Sequence, residues 1–126
     1  MAVILIIDDD AQIRDLWADV LEQEGFDVRV APSGVEGVEI AASEKVDVVV
    51  TDILMPDKDG IETLLEIKSA RPQAKVLVVS GGGTMLTASY TGIAEKLGAD
   101  ASLQKPVEIR RFCSVVAQLA SAAWPA

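Results

Sequence analysis

Three consecutive carboxylates, Asp8, Asp9 and Asp10, follow directly on the apolar run Val3-Ile4-Leu5-Ile6-Ile7. A further acid, Asp52, closes a second run, Val46 to Thr51. A third run, Val76 to Val79, ends on Ser80, and Lys105 follows a short fourth stretch, Ala101 to Gln104. Two carboxylates about 4 Å apart near a surface repel by roughly 4 kcal/mol at an effective dielectric of 20. Acids gathered at one rim therefore need protonation or a cation. Oxygen donors in a chain with no histidine and a single cysteine select a hard ion, Mg²⁺ or a relative such as Mn²⁺ or Ca²⁺. An aspartate in such company can attack phosphorus to form an acyl phosphate. That chemistry is mostly positioning and charge neutralisation, so it calls for a metal, a fixed ammonium and a hydroxyl. Singly, Ser80 reads as a loop residue and Lys105 as a surface charge, and Asp10 reads as a helix cap. Together these residues stand at the ends of four different runs.

What must position them is a sheet. Short, continuous, β-branched runs read as parallel strands buried on both faces, and ligands of such sheets collect outside the carboxyl ends of the strands. Between the runs the apolar residues take helical spacing. Ile13, Leu16, Trp17, Val20 and Leu21 form one set, ending at Gly25, and Val35, Val38 and Ala42 form a second, started by Ser33-Gly34. Ile61, Leu64, Leu65 and Lys68 precede Pro72, Leu86, Tyr90, Ile93 and Leu97 precede Gly98, and Ile109, Phe112, Cys113, Val116 and Leu119 close the chain. With a short strand at Val28 to Ala31, this makes five βα units and one doubly wound α/β domain. Periodicity alone leaves the strand order open.

The chain has 126 residues and a net charge of −9, room for one core and no basic footprint for nucleic acid. Its N-terminal apolar run is cut off by Asp8, short of a membrane span and without a basic leader. Cys113 has no partner for an internal disulfide and reads as core packing. The expected setting is the cytoplasm.

The motifs taken in order resemble the receiver domain of two-component response regulators, of the chemotaxis-regulator type. They are Ile6-Ile7-Asp8-Asp9-Asp10, Thr51-Asp52-Ile53-Leu54-Met55-Pro56-Asp57-Lys58-Asp59-Gly60, Val78-Val79-Ser80-Gly81, Leu97-Gly98-Ala99-Asp100-Ala101 and Lys105-Pro106. The resemblance implies a flavodoxin-like, five-stranded parallel sheet of order 2-1-3-4-5 with five helices, spanning residues 1–121, with 122–126 a tail. It implies that Asp52 is the phosphoacceptor, charged by a sensor histidine kinase or histidine phosphotransfer protein. Asp8 and Asp9 would be the acid pair for Mg²⁺ or Mn²⁺, with Asp9 the more direct ligand and Asp8 acting largely through water. Asp52 and the main-chain carbonyl of Leu54 complete that shell. Ser80 would be the switch hydroxyl and Lys105 the lysine that pairs with the phosphoryl group.

Two positions depart from the family pattern. Ser102 stands where an aromatic is frequent, three residues before the lysine. The stretch Gly81 to Thr87 is longer than usual and rich in glycine, and it lacks the Gly-Lys-Ser/Thr of a P-loop. Two other readings fit parts of the set. A haloacid-dehalogenase-like phosphatase would use Asp8-x-Asp10, Ser80 and Lys105, but it wants a later acid pair where only Glu108 stands. A non-phosphorylated receiver-like scaffold would have no use for the full set of site residues.

Overall fold

The computed structural model describes residues 1–52, 60–80 and 95–123. Five strands, β1 Val3–Ile7, β2 Asp27–Ala31, β3 Val48–Asp52, β4 Lys75–Ser80 and β5 Ala101–Gln104, form one parallel sheet of order β2-β1-β3-β4-β5. Among the described residues there are four helices: α1 Ala11–Gln23, α2 Gly34–Ser43, α3 Gly60–Ala70 and the C-terminal helix Ile109–Ala123. Of the helix expected on Leu86, Tyr90, Ile93 and Leu97, only the end falls within the described residues, where Glu95 and Lys96 are helical. None of the described helices is long and apolar enough to cross a membrane.

The two-residue period of the strands sorts the core into two layers. Leu5, Ile7, Val49, Val76 and Val78 face Ala41 of α2 and Leu64 and Ile67 of α3. Ile4, Ile6, Val48, Val50, Leu77, Val79 and Leu103 face Trp17 and Leu21 of α1 and Phe112, Val116 and Ala120 of the C-terminal helix. Cys113 is half-buried against this second layer, and burial pushes its thiol above the ordinary value, with Glu24 adding to the effect. That is the packing role expected of it.

Local chemistry starts and stops the helices as the side chains dictate. Asp10 caps α1, its carboxylate accepting from the Gln12 and Ile13 amides at 2.9 and 3.3 Å. At the other end Gly25 adopts φ +94°, so that its N–H reaches the Glu22 carbonyl and the Phe26 N–H reaches Leu21, the pattern of a Schellman stop. Ser33 caps α2 by accepting from Glu36. The run Val46 to Thr51 enters the ladder two residues later than its composition implies. Asp47 is buried, and its Oδ2 accepts the Val3 amide at 2.8 Å.

Candidate functional site

Strand register builds the site. Ile7 lies beside Thr51, Asp52 beside Val79 and Ser80 beside Gln104, so Asp8, Asp52, Ser80 and Lys105 all reach the carboxyl rim. The turn after β1 then separates the first two acids. Asp8 is fully buried and its Oδ1 accepts the Asp10 N–H at 2.9 Å, while its carbonyl accepts from Arg14 Nη1 at 2.8 Å. Asp9 is exposed. Asp52, the last residue of β3, is 8% exposed.

Lys105 closes the set. Its Nζ donates to Asp52 Oδ2 at 3.1 Å and to Asp8 Oδ2 at 3.4 Å, and the Lys105–Pro106 peptide is cis. Burial works against the charge of the Lys105 ammonium, but Asp52 and Asp8, by charge and by hydrogen bond, outweigh it and leave the pKa above its ordinary value. For Asp8 the balance falls the other way. Burial raises its pKa and the Asp52 charge adds to this, against the Asp10 amide and Lys105.

One oxygen from each of Asp8, Asp9 and Asp52 lies within 4.8 Å of the other two. A hard cation fits such a set, because all the donors are oxygen and, among the described residues, a single lysine meets the three carboxylates. Leu54, the expected carbonyl ligand, lies outside the described residues, as do the Ser80 side chain and the stretch from Gly81 to Gly83. The remaining site residues expected from the sequence converge.

The family model of the response regulator receiver domain matches residues 4–117. The chain belongs to the response regulator receiver domain family. Receiver domains are the phosphoacceptor switches of response regulators, and the fold agrees with solved members. The receiver superimposes with a TM-score of 0.89 at 32% identity on one from Clostridium thermocellum, covering 97% of this chain and 96% of that one. With the CheY-like receiver of Methanospirillum hungatei JF-1 the TM-score is 0.87 at 31% identity, over 98% and 96% of the two chains. Among curated proteins it is 36% identical over 115 residues to the DNA-binding transcriptional regulator NtrC of Rhizobium meliloti, covering 91% of this chain and 23% of that protein. The receiver thus spans about a quarter of that regulator's length.

Sequence reasoning missed one member of the site. Trp17 of α1, marked as core by its helical spacing, lies with its ring centroid 5.8 Å from Lys105 Nζ. The spacing carries half of that signal, since it puts Trp17 on the buried face of the helix that Asp10 starts. It cannot name a partner from the other end of the chain. Ser102, by contrast, donates its hydroxyl to Glu95 Oε2 at 3.1 Å.

Proposed function

We propose that Asp52 is the phosphoacceptor and that the receiver catalyses its own phosphorylation and dephosphorylation and no other reaction. In this reading an Asp52 carboxylate oxygen attacks the phosphorus of a phosphohistidine on a sensor histidine kinase or histidine phosphotransfer protein. The O–P bond forms as the P–N bond breaks, and the electron pair leaves with the imidazole nitrogen. Lys105 already touches the Asp52 carboxylate and pairs with the oxygens of the arriving group. Asp8, Asp9, Asp52 and the Leu54 carbonyl would hold Mg²⁺ or Mn²⁺. When bound, that ion neutralises the acids and the charge on the phosphoryl oxygens. Ser80 acts as the switch hydroxyl at the end of β4, donating its O–H to an oxygen of the new group and reorganising a protein-interaction surface. The receiver unit is taken as residues 1–121, with 122–126 a tail, working in the cytoplasm.

The observation that supports this reading most is the meeting of Asp8, Asp9 and Asp52 with a lysine that bridges two of them. The test is intact-mass analysis after exposure to a small-molecule phosphodonor with Mg²⁺. One phosphate is expected, labile to hydroxylamine and missing in Asp52→Asn. A second adduct, or unchanged labelling of that variant, refutes the assignment.

A further inference from the structure

Lysine carries its charge on a flexible four-carbon stem, so an ammonium between two carboxylates is held only as well as its third side is defined. Here the third side is an aromatic face. Lys105 Nζ lies 5.8 Å from the Trp17 ring centroid, within the range over which a cation is drawn to an indole. The ring cannot follow the lysine. Trp17 is 7% exposed, and it stacks on Phe112 of the C-terminal helix with centroids 4.5 Å apart and planes 26° from parallel. Phe112 is itself buried.

We infer that Trp17 is a positioning residue for Lys105: its fixed ring face, together with Asp8 and Asp52, sets where the ammonium waits for the phosphoryl group. This rests on Asp52 being the phosphoacceptor. A phosphoryl group brings added negative charge and strong acceptors to Asp52. The ammonium then pairs with the new oxygens from the place the indole face sets, and the change of charge beside the ring lets Trp17 also report the state of the site. Three residues before the lysine β5 offers no aromatic: Ser102 stands there and donates to Glu95.

The test uses the whole chain with Trp124→Phe, which leaves Trp17 as the sole indole of the two tryptophans. Trp17 is replaced biosynthetically by mono-, di- and trifluorinated tryptophan, which drains the ring face of negative potential with little change of shape. Initial rates of phosphate gain from acetyl phosphate with Mg²⁺ are followed by intact mass. They should slow stepwise, reaching about two- to fivefold with the most fluorinated ring, at unchanged melting temperature. In Lys105→Met the dependence on fluorination should vanish. Without any donor, indole emission should differ between the Trp124→Phe protein and its Lys105→Met derivative, but not on Lys75→Met. Equal rates across the fluorinated series, the same slowing in Lys105→Met, or emission blind to Lys105→Met overturns the inference. A parent that takes no phosphate at all instead overturns the assignment of Asp52, and the emission comparison still decides for or against Trp17.

Discussion

Asp8→Asn is expected to stabilise the receiver when no divalent ion is present, although Asp8 belongs to the proposed metal site. The opposing forces can be set side by side. The Asp8 and Asp52 oxygens fall within 4.8 Å, which at an effective dielectric of 20 is a repulsion of about 3.5 kcal/mol. Lys105 at 3.4 Å attracts Asp8 by about 5 kcal/mol on the same scale. Repulsion from exposed Asp9 is weak after screening. The charge on fully buried Asp8 has also lost its hydration, a cost of several kcal/mol in real proteins. The sum disfavours the charge, in line with the raised pKa of Asp8, whose first cause is burial. Asparagine keeps an oxygen for the Asp10 amide and removes the charge, but its amide NH2 then faces the Lys105 ammonium where Oδ2 accepted, so a net gain of at most about 1 kcal/mol follows, or up to roughly 5 °C in Tm.

The pH dependence carries the same sign. Because the folded Asp8 pKa lies above 3.8, the native state holds more protons than the unfolded state between those values. The parent therefore loses stability as pH rises through that window, and the variant lacks this loss. Its advantage should be absent below the window and complete above it. Excess Mg²⁺ should then favour the parent, by roughly 1.4 kcal/mol at ten times its Kd, and narrow or reverse the order. Thermal melts followed by circular dichroism, with chelator and then with Mg²⁺ across the acid range, read all of this. An Asp8→Asn protein that melts below the parent in chelator at neutral pH would show that the lysine contact dominates and would refute the reasoning.

Substitutions at two further positions test the frame. A Cβ at Gly37 would stand 2.3 Å from Ile7 Cδ1 and 2.7 Å from its Cγ1, and Ile7 is buried against that helix, so Gly37→Ala should lose about 1 to 3 kcal/mol to overpacking against a helix-propensity gain of at most about 1; denaturant unfolding with a higher midpoint than the parent would contradict this. Asp100→Ala removes the acceptor of the Val76 amide at 2.8 Å and of Lys68 Nζ at 2.9 Å. It should cost about 1 to 3 kcal/mol, with Asp100→Asn recovering part through the Val76 bond; equal midpoints for the two variants would assign the whole effect to the ion pair.

What the sequence revealed, and what it withheld, follows from the range of the forces involved. Strand ends and the acids on them were legible because burial on both faces leaves an apolar run that stops where the rim begins. The caps at Asp10 and Ser33 and the stop at Gly25 were legible because they act within a few residues. Asp47 was read as one more member of a strand, since nothing local shows that it would accept the Val3 amide. The contact between Trp17 and Lys105 was hidden for the same reason, as only the assembled sheet brings α1 to the end of β5. The strand order came from the resemblance and not from periodicity, and the sheet has that order.

The rim opposite the acids has its own bearing on them. Asp47 ties the start of β1 to the residue before β3, and Asp100 ties the start of β4 to the residue before β5. A slip of one residue would turn every side chain of a strand to the other face, so these two carboxylates act as registration pins. The alignment of Asp8, Asp52 and Lys105 is thereby decided about 16 Å away, the rise of five strand residues. A lesion at the quiet end of the sheet can disable phosphoryl chemistry without touching a single reacting atom.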